Sequence, residues 1–450
     1  MRRLLRRALS FSGLVWKLAK SRSAREQLRM ILGRQTILPP VPPSDDADFI
    51  DVRTLMATLS VEELNRTSDE YFRHHTDLAV YLSKPFTNAE ESTDLMIAFS
   101  QVVNGLAPPY GSDILDFGCG TCWSTRCLTQ MGYAVTAMDV SATALDIGRE
   151  LFRRLPVVGH HLPPEFLVFD GRRFDLPDAS VDRIVCLNAF HHVPNPADVL
   201  KEMARVLRPG GIAGFSEPGD GHSRTSQAQY EMRNYTVVEN DIVIEDIERW
   251  GIEAGFNRLE LAVVDPRSYR LGWREYTELI AGGVAAERYV DSIREAAANR
   301  RLFFLYKPGA MPPDSRQRRG LLGTVRVTLD ETQVAAAGVF RGEARVENTG
   351  ANLWLPSDAP FGPVLVGVHL FSPDGQLIDR DFGRIRLPRG LRPGESATLR
   401  FTLDAPPPGD YRLAFDLVSE QVCWFEMNGA EVVSTDVSVG RVGPAARISG

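Results

Sequence analysis

The chain has 450 residues, 44% of them hydrophobic and 24% charged, a length that allows roughly two or three domains of ordinary size. With 37 glycines, 29 prolines and no window near the ~18 uninterrupted apolar residues of a spanning helix, it is neither collagen-like, nor wholly disordered, nor an integral membrane protein. A formal net charge of -7 excludes a general attraction to nucleic acid. Five cysteines, four of them between Cys119 and Cys186, are too few and too uneven for a disulfide framework, which points to a reducing, cytoplasmic compartment.

From Met1 to Arg34 ten Lys or Arg accompany one acid, Glu26, while Leu4, Ala8, Phe11, Val15 and Leu18 recur at helical spacing. Residues 1–38 are therefore expected to form a basic amphipathic helix. Either residues 1–34 lie on an anionic membrane surface, with Trp16 near the boundary and the protein peripheral, or the helix packs on the protein's own body. Residues 39–50 follow as a stiff polar linker, with Pro39, Pro40, Pro42 and Pro43 ahead of Ser44, Asp45 and Asp46.

Helices are predicted over Asp51–Asn65 and Glu90–Val103. Strands are predicted at Asp113–Phe117, Ala134–Met138, Phe166–Phe169, Arg183–Leu187, Ile212–Phe215, Leu259–Val264 and Leu302–Tyr306, alternating with helical patterns. Such alternation implies an α/β domain over 51–309, with a parallel sheet covered on both faces. Pro308, Pro312 and Pro313, with Arg316, Arg318 and Arg319 behind them, mark a second linker over 310–322. The apolar period then changes to two: Val364, Val366, Val368 and Leu370, then Tyr411, Leu413, Phe415 and Leu417. Turn signals at Asn348-Thr349-Gly350, Pro373-Asp374-Gly375 and Pro408-Gly409-Asp410 separate the strands, so residues 323–440 are expected to form an all-β sandwich of immunoglobulin-like size.

The sharpest motif is Ile114-Leu115-Asp116-Phe117-Gly118-Cys119-Gly120-Thr121, a strand ending in a glycine turn before a helix over Ser124–Met131. Gly118 and Gly120 let backbone approach a ligand that a Cβ would block, and the helix start offers unpaired N–H groups. The second strand ends at Asp139, 19 residues after Gly120, where a carboxylate can accept both hydroxyls of a ribose. A dinucleotide enzyme places a third glycine three residues after the second. Here that position is Trp123, so the turn suits a nucleoside joined to something smaller than a pyrophosphate.

These residues resemble the class I S-adenosylmethionine-dependent methyltransferases with the type 11 domain, strongly over 113–219 and weakly to about Gly309. The resemblance implies a Rossmann-like, seven-stranded α/β sheet and S-adenosylmethionine as cofactor. Asp116, Gly118, Cys119, Gly120 and Thr121 would surround its methionine part, Asp139 its ribose, Val140 its adenine, and Asp170-Gly171 the adenine amino group. Leu187-Asn188-Ala189-Phe190-His191-His192-Val193 is similar to the segment that closes over the cofactor. Leu207-Arg208-Pro209-Gly210-Gly211 resembles the family's helix-to-strand turn, and Glu217-Pro218-Gly219 follows strand five.

The implied reaction is in-line displacement of the sulfonium methyl by an acceptor O, N or C, for which the protein aligns, desolvates and, for a hydroxyl, removes a proton. His192 and His191, at the carboxyl end of strand four, are the base candidates; the alternative for His191 is packing or a bond to loop backbone. Glu217 either orients the acceptor or caps the next segment. Tyr71, Phe72 and His75 either form a lid or pack on the sheet. Tyr230, Arg233 and Tyr235, between strands five and six, are candidate acceptor contacts, and Arg267–Arg294 is a further insertion before the last strand. Cys119, Cys122 and Cys127 lack a second pair at ligand spacing, so no metal is assigned. The pairs His74-His75 and His160-His161 suit surface or packed positions.

The sandwich has one His, one Cys and no Lys, so binding or spacing is expected of it rather than catalysis. Val346-Glu347-Asn348-Thr349-Gly350, Trp354 and Trp424-Phe425 loosely resemble modules of bacterial glycan-assembly proteins. Trp354 either stacks on a sugar ring or fills the sandwich core. The expected acceptor is a saccharide or lipid-linked glycan. The alternatives are a small natural product or quinone, and a scaffold that holds S-adenosylmethionine without catalysis.

Overall fold

In the computed structural model, residues 49–74, 78–159, 161–263 and 269–440 are described. The expected N-terminal helix, nearly all of the first linker, His75, His160, Val264 and Arg267 lie outside them.

The first helical region is two helices rather than one: α1, Val52–Thr58, and α2, Val61–His74. Ser60 divides them. Its hydroxyl accepts the Glu63 N–H at 3.2 Å while Glu63 reaches back to the Ser60 N–H at 2.8 Å, a capping box that starts a helix instead of continuing one. After α3, Leu78–Ser83, and α4, Ala89–Leu106, the sheet begins.

Its strands are β1 Asp113–Phe117, β2 Ala134–Asp139, β3 Glu165–Val168, β4 Val181–Leu187, β5 Leu207–Pro218, β6 Arg258–Ala262 and β7 Arg300–Tyr306. They run in the order β3-β2-β1-β4-β5-β7-β6. The intervening helices are α5 Trp123–Gln130, α6 Ala142–Arg154, α7 Pro196–Val206, α8 Ser226–Tyr235, α9 Ile244–Ala254, α10 Trp273–Ala281 and α11 Val284–Asn299. Phe99, Val102 and Leu106 of α4 cover one face of the sheet with Trp123 and Leu128 of α5. Val199, Leu200 and Met203 of α7 and Ile247 of α9 cover the other.

Two expectations need correction. The sheet is not wholly parallel, because β7 runs antiparallel to β5 and to β6. The cause lies at the end of α11: the Gly219 N–H donates to the Asn299 carbonyl at 2.9 Å, and a Cβ on Gly219 would stand 2.1 Å from the Ala298 oxygen. The chain thus re-enters at the carboxyl end of β5 and can pair only by running back. The expected turn over residues 207–211 lies inside β5 rather than ahead of it: Val181 and Arg183 of β4 pair with Leu207 and Ile212, so residues 208–211 loop out of the register, with Gly210 at φ 76°.

Two further sheets follow. One joins β8 Gly323–Leu329, β10 Val339–Asn348 and β13 Ser396–Asp404; the other joins β12 Leu377–Arg386, β11 Val364–Phe371, β14 Gly409–Ser419, β16 Val433–Val439 and β9 Gln333–Val334, with β15 Cys423–Trp424 on β14. Pairing is antiparallel apart from β9 with β16. Phe340, Val346, Leu399 and Phe401 of the first sheet share a core with Val366, Val368, Phe415 and Leu417 of the second, around the fully buried Trp354. Trp354 is therefore a core residue here and is not presented to a sugar.

These sheets dock at the amino ends of β1, β4 and β5. Arg392 pairs with Asp182, which is 1% exposed, and reaches Asp113 at 3.6 Å. Arg208 forms ion pairs with the same two carboxylates, at 3.2 and 2.8 Å.

Candidate functional site

A cleft of about 900 Å³ crosses the carboxyl ends of β1, β2, β4 and β5, and the described residues that line it lie between Asn65 and Arg300. Its floor is the turn after β1. Gly118, Gly120 and Cys122 all have left-handed backbone, with φ of 64°, 52° and 64°. A Cβ on Gly118 would lie 2.3 Å from that of Ala189, whereas one on Gly120 would meet nothing nearer than Phe72 at 3.9 Å. Both glycines line the cleft; the side-chain direction at Gly120 is open, while at Gly118 it is filled by the loop after β4, so only a glycine fits there.

Asp116 and Asp139 frame this turn. Asp116 accepts the Ser124 and Thr125 hydroxyls at 2.8 and 2.6 Å, which fixes the first turn of α5. Burial pushes its carboxyl up to about 6 against the lowering effect of those hydroxyls. Asp139 takes the Gly120 N–H on Oδ2 and the Ser141 N–H on Oδ1, each at 2.8 Å. Burial raises its pKa and the backbone bonds oppose the rise. Each oxygen keeps a further lone pair, so the carboxylate that clamps the turn can also accept hydroxyls. Cys119, Thr121, Val140, Gly171, Asn188 and Ala189 line the same cleft. Asp170 does not: it is exposed, and its Oδ1 accepts the Arg172 and Arg173 N–H groups at 2.7 and 2.9 Å.

The loop after β4 is organised by Glu217. This fully buried carboxylate accepts the Ala189 and Phe190 N–H groups at 3.0 Å each, the His191 N–H at 3.3 Å, and lies 2.7 Å from His191 Nδ1. Burial pushes Glu217 up, but the His191 bond and the backbone donors outweigh it and hold the group below the usual range. Burial, and then His192, lower the pKa of His191. Glu217 thus caps the loop, out of reach of the cleft. His192 is 35% exposed at its side chain, lines the cleft, and has Nδ1 2.6 Å from the Val238 carbonyl.

Two residues that the sequence pattern did not single out complete this wall. Glu239 accepts from His222 Nε2 at 2.7 Å and lies 3.6 Å from His191 Nε2 and 3.7 Å from His192 Nδ1. Burial raises the pKa of Glu239, but His192 and the His222 bond hold it below the usual value. No spacing signals the set, since Glu239 is 47 residues beyond His192.

The opposite wall is α2 and α3, with Tyr71, Phe72 and Tyr81. Burial, then Glu231, pushes the Tyr81 phenol up to about 12, so it stays a neutral donor. Burial also raises Tyr71. Tyr235 stacks edge-on behind Tyr71, with ring centroids 5.2 Å apart. Tyr230, Arg233 and Tyr235 lie outside the lining; Tyr230 packs on Tyr235 with ring centroids 6.2 Å apart, and Arg233 bonds the Gln229 carbonyl of its own helix. Cys119 and Cys122 have their sulfurs 3.6 Å apart under the turn; Cys127 is half-buried. His74 and His161 bond local carbonyls.

A parallel-rich α/β sheet with its cleft at the strands' carboxyl ends is the architecture of a Rossmann-like nucleoside-binding domain. Residues 115–215 match the family described as a methyltransferase domain, so the chain carries a methyltransferase domain of the S-adenosylmethionine-dependent kind. It is 33% identical over 140 residues to the demethylmenaquinone methyltransferase of Tropheryma whipplei, covering 29% of this chain and 56% of that one. It is 30% identical over 114 residues to the ubiquinone biosynthesis O-methyltransferase of Paracidovorax citrulli, covering 25% and 47%. The chain thus spans about half the length of these curated relatives. Among solved structures, phosphoethanolamine N-methyltransferase 2 of Haemonchus contortus with S-adenosyl-L-methionine superposes over 56% of this chain and 60% of that one, at 18% identity and a TM-score of 0.38.

Proposed function

We propose that the protein is an S-adenosylmethionine-dependent methyltransferase acting on the hydroxyl of a small aromatic acceptor of the quinol type. The observation that carries the reading is the open turn at Gly120 clamped by Asp139. The turn admits backbone-close contact, and the carboxylate sits at the tip of the neighbouring strand with lone pairs for a ribose. When bound, the cofactor supplies a sulfonium methyl whose bond to sulfur breaks as a bond to the acceptor oxygen forms. Asp139 holds the nucleoside, Ala189 and Asn188 close the turn side of the cleft, and Glu217 and His191 keep that loop in place. The hydroxyl proton goes to the imidazole wall, of which His192 is the exposed member.

The acceptor class rests on two supports. Tyr71, Phe72 and Tyr81 give the cleft an aromatic end against which a ring can pack edge or face, and of the relatives above one is named for demethylmenaquinone and the other for O-methylation in ubiquinone biosynthesis. The glycan expectation came from the basic N-terminal segment and the sandwich together; Trp354, the residue offered for sugar stacking, is buried, and the relatives' names point to quinones instead. We also read residues 51–309 as the catalytic domain, 310–322 as its linker and 323–440 as an immunoglobulin-like sandwich, on the strength of two packed sheets with one core. Residues 1–34 are proposed to hold the protein at an anionic membrane surface, which their excess of Lys and Arg supports; no helix among the described residues is long and apolar enough to cross a membrane.

Calorimetry with S-adenosylmethionine tests the reading. Asp139→Ala is expected to weaken binding by about tenfold or more, because charge-assisted bonds contribute ~1.5–3 kcal/mol each. Equal affinity in both proteins, or no labelled methyl delivered to any demethylated quinol, overturns it.

A further inference from the structure

Among the described residues no Lys or Arg pairs with the carboxylates of the imidazole wall. Glu217 and Glu239 are 0% and 5% exposed, and among the described residues their only ion-pair partners are imidazoles. Two carboxylates taken out of water need a countercharge. The hydrogen bonds also fix which imidazole nitrogens are free. His191 places Nδ1 on Glu217 and His192 places Nδ1 on the Val238 carbonyl. Both partners only accept, so in the neutral rings Nδ1 carries the proton and Nε2 the lone pair; the His192 nitrogen 3.7 Å from Glu239 is Nδ1, so His192 would join a shared ion by turning its ring or by giving up the Val238 carbonyl. His191 Nε2 then stands 3.6 Å from Glu239 Oε2, with two acceptor atoms facing each other.

We propose that His191, His192 and Glu239 bind one divalent transition-metal ion of the zinc class. One donor atom from each lies within 4.8 Å of the other two, and all three residues line the cleft. Two imidazoles and a carboxylate, with a fourth position open, are a donor set for catalytic zinc. Glu217 supplies the outer carboxylate that orients a ligating imidazole, and His222 holds Glu239 from the other side at 2.7 Å. Donors ~2.0–2.1 Å from one zinc ion stand about 3.3 Å apart, so loading draws the side chains inward. Magnesium, which prefers oxygen ligands, fits the set poorly. Binding of the ion is independent of the methyl-transfer reading; only its use rests on that reading. An acceptor hydroxyl in the open position would lose its proton to water at lower pH, and His192 would then serve as ligand rather than base.

The test is titration of the metal-free full chain with Zn²⁺ in a calorimeter and with Co²⁺ by visible absorption, with Mg²⁺ as a third arm. The expected result is one ion per chain, cobalt d–d bands displaced by zinc, and no comparable uptake of magnesium. Glu239→Gln and, separately, the half-exposed His192→Ala should each weaken zinc binding by about tenfold or more while S-adenosylmethionine still binds. No zinc or cobalt uptake by the natural chain, or uptake that His192→Ala leaves unchanged, overturns the site. Loss of S-adenosylmethionine binding by the natural chain would sink the methyl-transfer reading and leave the metal titration to be judged by itself.

Discussion

Asp116 carries two opposing demands: it must be buried to anchor α5 from beneath the glycine turn, and it must tolerate that burial as an ionisable group. With a folded-state pKa of about 6 against an ordinary value near ~3.9, folding favours its protonated form. The stability so contributed is fully present below the unfolded value and is lost as pH rises through about 6. The swing is about 3 kcal/mol, because the folded value lies roughly two pH units above the unfolded one. Asp116→Asn, which keeps an acceptor for Ser124 or Thr125, is therefore expected to gain on the natural chain by up to about 3 kcal/mol between roughly pH 3.5 and pH 6.5. Urea denaturation of both proteins across that range checks it, and parallel stability curves would contradict it. Gly118, Gly120 and Asp139 were legible as a group because strand, turn and next strand tip lie close in sequence. Asp170 was less so: its motif position follows β3, but its carboxylate turned to the neighbouring backbone N–H groups of Arg172 and Arg173.

At the scale of elements, the cleft depends on how α2 is held over the sheet. Ser141 caps α6 by accepting the Ala144 N–H at 3.0 Å, and its hydroxyl donates to Asp69 of α2 at 2.8 Å. One side chain thus starts one helix and ties down another, the one that brings Tyr71 and Phe72 to the cleft. Ser141→Ala should cost about 1–2 kcal/mol, the usual loss at an N-cap plus one bond, seen as a lower denaturation midpoint. A change within about 0.3 kcal/mol, as for an ordinary surface site, would show that Asp69 and Arg73 hold α2 unaided. Most strands were readable from their apolar runs, since burial on both faces demands them. The direction of β7 was not, because a strand's own residues do not record which end of the sheet the chain re-enters.

For the whole molecule, the C-terminal sheets sit at the amino ends of β1, β4 and β5, across the domain from the cleft. Arg392 joins the two parts at Asp182, and Arg208 shares that carboxylate. Removing one partner of a buried pair costs ~3–5 kcal/mol when the remaining charge is left alone; with Arg208 still present, Arg392→Ala is expected to cost about 2–3 kcal/mol. Calorimetric melting should then separate into two transitions, while S-adenosylmethionine affinity stays as it was. A single cooperative melt at the original temperature would mean that the ion pair does not hold the junction. The same placement explains why the described residues of the C-terminal sheets contribute nothing to the lining of the cleft.

Taken alone, the sequence determined the features whose partners are neighbours along the chain: the glycine turn, the acid at the second strand's tip, the alternation that makes an α/β sheet, and the change of period that makes a β-rich end. Each is a local pattern imposed by backbone geometry and by burial, and so it is written residue by residue. Only the tertiary structure decided that Glu217 serves the loop rather than the acceptor, that His222 and Glu239 join His191 and His192, and that β7 runs backward. Those outcomes depend on which distant groups meet in a space closed to water, where an unpaired charge or N–H is costly and the nearest complementary atom takes it up.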